Sequence, residues 1–369
     1  MERDKRPMSQ HAIIIGGGII GLSSAWTLLQ HGWRVTVLDA APEAREASWA
    51  AAGMLAPHHE ADEATALWRL GIDSLQRWPL FIEQLGQEPN AVDLHINGGL
   101  MPLLDDNDAA EIERKKSFLA KHHIPVRWLE RHELTTSEPA IAATCHGALL
   151  LPGGQVNPRL MCTLLQHALT AHGGVLRYHT PVAHLTERCV QLTNGETLQA
   201  DEIILASGAW TPQLAALAGI DLPGEPVKGQ MLRLRAPDGL LNRFIHCHHA
   251  YLVPRRGLGL VVGATMVMAG FDRSGDPAAI ERLATGARRL VPALADAPVV
   301  EQWTGLRPRL NSGLPVISRL RPGLIVATGH FRNGILLAPI TAAAVHCIAV
   351  QQSPPCDLAP FACPQLSSS

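Results

Sequence analysis

Three glycines and one acid form the clearest chemical pattern in this sequence. Gly16, Gly18 and Gly21 stand in Gly16-Gly-Gly18-Ile-Ile-Gly21, a G-x-G-x-x-G spacing, and Asp39 follows 18 residues after Gly21. The first glycine permits a tight turn. The second lets backbone approach a pyrophosphate, and the third lets a helix pack closely on a strand. The N-terminus of the helix that follows offers free N–H groups and a positive dipole end that suit phosphate. Asp39, with Ala40 beside it, ends the next strand, where a carboxylate can accept from a ribose hydroxyl. The glycines alone would fit a mere Gly-rich turn. A strand before, a helix after and an acid at the right distance specify a dinucleotide site, without separating NAD from FAD. Far along the chain, Arg307 lies between Leu306 and Pro308. Its guanidinium offers a planar fork that can hold a carboxylate bidentately and keeps its charge. The plainer alternative is a surface arginine beside a turn, but Gly305 and Pro308 shape a rigid turn there.

Other chemistries find less support. His246, His248 and His249 cluster with Cys247, and His58-His59 and His122-His123 are pairs, yet none has a metal-ligand spacing on a helix or zinc knuckle. No metal is expected. Neither G-x-S-x-G nor H-E-x-x-H occurs, so hydrolase readings lack a nucleophile elbow or zinc helix.

The elements that must position these residues can be read from periodicity. Residues 11–15 form a short apolar strand, 22–31 a helix and 33–38 a β-rich run ending at Asp39, together one βαβ unit. Further on, 159–172 read as a helix, 175–178 as a strand and 203–206 as a fully apolar strand followed by Ser207-Gly208-Ala209. Residues 228–235 and 251–265 alternate with period two, which suits an antiparallel sheet with one wet face. Residues 324–327 form another buried strand running into Gly329, and 334–350 a helix. Parallel signals at the start, middle and end of the chain, with antiparallel signals between, imply a discontinuous domain with a second sheet domain inserted into it.

Composition agrees with a folded two-domain chain. Among 369 residues, 47% are hydrophobic and 17% charged, and the net charge is −2. Neither a basic stripe for nucleic acid nor a polybasic cluster for an anionic membrane is present. Seven cysteines without a CxxC pair argue against a disulfide framework and fit a reducing, cytoplasmic setting. The glycine-interrupted apolar run after residue 10 is unsuited to a signal peptide or a membrane span. Residues 1–7 read as a frayed tail, with Met8 a possible alternative start, and the last dozen residues as loose.

A resemblance extends this reading. Ala47-Ser48-Trp49-Ala50-Ala51-Ala52-Gly53-Met54-Leu55 is similar to the second flavin-contact segment of the D-amino-acid oxidase superfamily, although by itself it could be an Ala-rich helix start. Gly98-Gly-Leu, Gly153-Gly-Gln-Val-Asn-Pro158, Ala206-Ser-Gly-Ala-Trp210, Lys228-Gly-Gln230, Tyr251-Leu-Val-Pro254, Val262-Gly-Ala-Thr-Met266, Gly305-Leu-Arg-Pro308 and Gly329-His-Phe-Arg-Asn-Gly-Ile335 continue the match. Over residues 11–345 the chain resembles the glycine oxidases of thiamine biosynthesis. It departs at Asp39, where the family usually has Glu, at Ala56 and His58-His59 near the expected substrate entrance, and in a short stretch between Arg307 and Gly329.

The resemblance implies an α/β fold of D-amino-acid oxidase type: a Rossmann-like FAD domain from residues 1–85, 145–220 and 308–369, and an antiparallel-sheet substrate domain from 86–144 and 221–307. It implies that FAD is held by Gly16, Gly18, Ile19, Ile20, Gly21, Asp39, Ala40, Ser48, Ala51, Ala52, Gly53, Met54, Val182, Ser207, Gly208, Trp210, Gly305, Arg307, His330, Arg332, Asn333, Gly334 and Ile335. Arg307 and Tyr251 would anchor a substrate carboxylate, Met266 wall a small pocket, and His249 and Arg332 stand near the substrate. The implied reaction is oxidation of glycine or another small amine-bearing carboxylate. The α-carbon gives a hydride to FAD, water hydrolyses the imine, and oxygen becomes hydrogen peroxide, with no side-chain base evident. Rival readings are a sarcosine, N-alkylglycine or D-amino-acid oxidase, a quinone-linked dehydrogenase, and a flavin-binding protein without turnover. The expected partners are a small amino acid and oxygen, with no nucleic acid, no membrane insertion and a homo-oligomer, tetrameric by resemblance.

Overall fold

The computed structural model describes residues 9–41, 45–248 and 250–363. Its first organising element is a six-stranded sheet in the order Val316–Arg321, Leu324–Thr328, Glu202–Leu205, His11–Ile15, Arg34–Leu38, Val175–Arg177. Every pairing is parallel except that of the edge strand Val316–Arg321 with Leu324–Thr328. The central strands are apolar at successive positions because both faces are covered, as parallel sheets require. Ile14, Ile204 and Ile325 stand in register and join the core under helices Ile19–Gln30 and Ala338–Ala349. Ile13, Ile203 and Leu324 turn to a second core on the other face.

The second element is a nine-stranded, mainly antiparallel sheet. It runs Val267–Met268, Gly224–Leu234, Gly259–Gly263, Tyr251–Arg255, Phe244–His246, Gly99–Leu103, Gly147–Leu151, Arg127–Glu130, with Val299–Leu310 also paired to Gly224–Leu234. The two long strands Gly224–Leu234 and Val299–Leu310 stay in register over most of their length and reach back toward the six-stranded sheet. At that end Gly305 faces Ala50, and only a residue without a side chain fits there.

The fold is thus the mixed α/β type expected, with several local corrections. The alternating run 251–265 forms an antiparallel hairpin, in which Gly257 at φ 70° turns the chain between Tyr251–Arg255 and Gly259–Gly263. The helix placed at 22–31 already starts at Ile19, and the one placed at 334–350 starts at Ala338. The strand Gly147–Leu151 pairs with Gly99–Leu103 in the large sheet, so a domain boundary at 145 falls too early by this strand. The C-terminal dozen is not uniformly loose: Phe361 is buried in the main core and the Cys363 N–H donates to Ser318 Oγ at 3.2 Å. The expectations for residues 1–8 and 364–369 lie outside the described residues.

Candidate active site

Three parallel strands end at the same place. His11–Ile15 runs into Gly16, Glu202–Leu205 into Ala206-Ser207-Gly208, and Leu324–Thr328 into Gly329. The chain leaves the first strand toward Arg34–Leu38 on one side, and Glu202–Leu205 lies on the other. Such a point of divergence opens a crevice at the carboxyl ends of the strands. A cavity of about 710 Å³ occupies it and continues to the inner face of the nine-stranded sheet.

The cofactor end is made of backbone. Gly16 has φ 115° and its N–H donates to Leu38 O at 2.8 Å; a Cβ there would collide with Ala206 O. Gly21 does not line the cavity. It lies directly against the Gly16 carbonyl, so its role is the close packing of helix on turn. Gly18, the N-cap of helix Ile19–Gln30, opens to the cavity, its nearest neighbour Ser48 Oγ lying 3.2 Å from where a Cβ would stand. Ser48 Oγ also accepts the Ile19 N–H at 2.9 Å. Asp39 accepts from Gly17 N–H at 2.7 Å and Ala41 N–H at 2.8 Å, which fixes the carboxylate at the cavity wall with acceptor capacity left over. Ile19, Ile20, Ala40, Ala51, Ala52, Gly53, Met54, Val182, Ser207, Gly208, Trp210, Gly305, Asn333, Gly334 and Ile335 all line the same cavity. His330 lines it too, but its buried ring is tied to Thr341 Oγ1 at 3.1 Å, and burial lowers its pKa to about 3. These features fit a dinucleotide cofactor: a glycine turn without side chains, a helix N-terminus and a fixed acid along one elongated cavity.

Behind this end, buried Arg255 donates to the carbonyls of Ala52 and Val156, the latter at 2.8 Å. It holds the turn at Gly53, and burial lowers its pKa to about 10. Sequence reading missed it, since nothing in Val253-Pro254-Arg255 marks it as more than a strand arginine.

The other end is made of side chains from separate strands. Arg307 projects from Val299–Leu310, and its guanidinium lies over Gly229 on the neighbouring strand, where any Cβ would strike it. Its Nη1 donates to Thr265 O at 3.1 Å. Among the described residues it has no carboxylate partner. Lys228 and Gln230, on the opposite face of that strand, hold the following loop: Lys228 Nζ meets Asp272 Oδ2 at 2.6 Å and Gln230 N–H meets Thr265 Oγ1 at 2.8 Å. The Tyr251 hydroxyl lies 3.6 Å from Met231 Sδ. Burial raises its pKa, and the Arg307 charge partly offsets that rise. His246 stacks with Tyr251, ring centroids 6.5 Å apart, and burial lowers its pKa against the opposing pull of Glu60.

Two expectations at this end are modified, and a third falls on a residue outside those described. Met266 reaches the cavity but is 60% exposed, so it sits on the rim; the buried methionine beneath Tyr251 is Met231. Arg332 lines the cavity but is bound to Glu60, an acid that sequence reading missed. His249 lies outside the described residues. Its neighbours His246 and His248 both line the cavity, and His248 Nδ1 also meets Asp108 Oδ1 at 2.8 Å.

A mainly parallel sheet with a glycine turn at its carboxyl edge, joined by one cavity to a mainly antiparallel sheet bearing an arginine fork, defines a dinucleotide-binding α/β protein with a second, anion-binding end to its cavity. A family described as FAD dependent oxidoreductase matches residues 11–346. The chain belongs to this family, and its cofactor is FAD. Among its relatives, the glycine oxidase of Geobacillus kaustophilus is 34% identical over 94% of this chain and 95% of its own length. The bifunctional protein ThiO/ThiG of Trichormus variabilis is 35% identical over 94% of this chain and 53% of that longer protein. The crystal structure of the Geobacillus kaustophilus glycine oxidase superposes with a TM-score of 0.88 at 32% identity, covering 96% of this chain and 98% of that one.

Proposed function

We propose that this flavoenzyme oxidises glycine or a comparably small amine-bearing carboxylate to the imine and then the 2-oxo acid, reducing oxygen to hydrogen peroxide, within thiamine biosynthesis. The observation that carries this reading is the Arg307 guanidinium, which faces the cavity beside the Tyr251 hydroxyl, is oriented by the Thr265 carbonyl and has no carboxylate partner among the described residues. Similarity to glycine oxidases and to a ThiO/ThiG protein supports the substrate and the pathway.

Bound along the glycine turn, FAD supplies a two-electron acceptor. The protein's part is to bind and orient. Arg307 takes the substrate carboxylate through its fork, and the Tyr251 hydroxyl, protonated at neutral pH, donates to the same group. Gly229 provides the space and Thr265 the orientation of the guanidinium. His246, neutral beside Tyr251, adds no charge that would compete for the carboxylate. The amine must be neutral for its lone pair to form the imine, and water then hydrolyses that imine. For glycine the balance is glycine, oxygen and water to glyoxylate, ammonia and hydrogen peroxide.

The two sheets correspond in this proposal to an FAD domain and a substrate domain, with strand Gly147–Leu151 belonging to the latter. Seven cysteines, all free, support a cytoplasmic setting, and the family resemblance supports a homo-oligomer. No helix among the described residues is long and apolar enough to cross a membrane.

The deciding experiment offers glycine, sarcosine, small D-amino acids and L-proline to the purified yellow protein, measuring peroxide and, without oxygen, bleaching of the flavin. Glycine or a small N-alkylglycine should do both. Bleaching without peroxide in air would replace the oxidase reading with a dehydrogenase.

A further inference from the structure

A second guanidinium reaches the substrate end, and the protein itself already occupies it. Arg332 Nε donates to Glu60 Oε2 at 3.0 Å, and Nη2 lies 2.9 Å from the same oxygen in an ion pair. Glu60 ends the helical turn Pro57–Glu60 and lines the cavity. That turn is pinned from behind. His58 Nδ1 accepts the Trp68 Nε1–H at 3.2 Å, and the buried His59 ring packs on Phe244 with centroids 4.8 Å apart. The carboxylate is therefore held toward Arg332 by two buried neighbours in sequence. Arg307, Arg332 and Glu60 together leave one positive charge, since His246 and Tyr251 are neutral at pH 7. One substrate carboxylate balances that charge. A second would meet the like charge of Glu60 and find the Arg332 fork already occupied, which disfavours it.

We propose that Glu60 is a specificity-determining residue: by occupying Arg332 it restricts the site to amines bearing one carboxylate and discriminates against dicarboxylates such as iminodiacetate. This rests on Arg307 being the carboxylate anchor.

The test titrates the flavin spectrum of the holoenzyme with glycolate, which has one carboxylate, and oxydiacetate, which has two and an ether in place of the amine. Wild-type protein should prefer glycolate. Glu60→Gln frees the Arg332 fork, so the preference should narrow by about tenfold or more, mainly through tighter oxydiacetate binding. Adding Arg332→Gln should abolish that gain, and turnover of iminodiacetate relative to glycine should follow the same order. A Glu60→Gln protein with normal FAD content and an unchanged preference overturns the proposal. If that variant does not retain FAD, Arg332→Gln replaces it. Leaving Glu60 uncompensated should weaken oxydiacetate more than glycolate, and equal weakening overturns the proposal. Glycolate binding that is absent in wild type, or that survives Arg307→Ala, overturns the anchor and this inference together.

Discussion

The two ends of the cavity differ in what builds them. At the cofactor end, turns and a helix N-terminus line the wall, glycines hold side chains out of the way, and the fixed polar groups, Ser48 and Asp39, bond to backbone N–H groups. At the opposite end, where the substrate is proposed to bind, the wall is side chains: Arg307, Tyr251, His246, Arg332 and Glu60 come from separate strands, loops and a helical turn. A backbone cradle recognises a shape shared by many dinucleotides. A set of charged forks recognises one ligand charge pattern, and a single exchange can alter it.

The largest expected effect is at the backbone end. Gly18→Leu would direct a side chain into the cavity where only Ser48 lies close. The protein should fold, with an unchanged far-ultraviolet dichroism spectrum, but purify colourless. Full flavin absorbance in this variant would break the distinction between the two ends.

Arg307→Ala should do the reverse, keeping FAD and losing roughly two or more powers of ten in kcat/KM. Arg307→Lys keeps the charge but not the fork, so its loss should be smaller. Flavin absorbance per chain and anaerobic flavin reduction measure the two properties separately.

Acid acts on both ends. His330 at the cofactor end and His58 behind the substrate end have pKa values lowered by burial from 6.5 to about 3 and about 4. Their stabilising contribution is complete above pH 6.5 and is lost as pH falls from there toward these values, because the unfolded chain takes up protons first. Each should contribute a slope of about 1.4 kcal/mol per pH unit in that window. Urea midpoints from pH 7 to pH 4 measure it, and His330→Gln should make the slope shallower. An unchanged slope would show that His330 is already charged in the fold.

Tyr251→Phe removes one hydroxyl and no charge. It should weaken glycolate by about tenfold or less, below the effect of Arg307→Ala. Loss equal to that of Arg307→Ala would mean that the hydroxyl also holds the guanidinium in place.

Legibility in the sequence followed the same division. The βαβ unit, its glycines and Asp39 lie within about thirty residues, and their spacing reflects backbone geometry that the local chain itself dictates. Alternation over 251–265 marks antiparallel sheet, but it continues on both sides of Gly257, so only strand pairing shows where the hairpin turns. Met266 was assigned to the pocket wall and Met231 overlooked, since a methionine in a strand carries no mark of which face will be buried.

By itself the sequence determined the dinucleotide turn, the parallel strands around it and the presence of an arginine fork, because these depend on local sterics, short-range periodicity and the chemistry of single residues. Tertiary structure alone decided which groups meet. Glu60 and Arg332 are 272 residues apart, and Arg307 finds its space over Gly229 only because two long strands pair in a particular register. Register and long-range contact arise from the packing of whole sheets, which no short stretch of residues specifies.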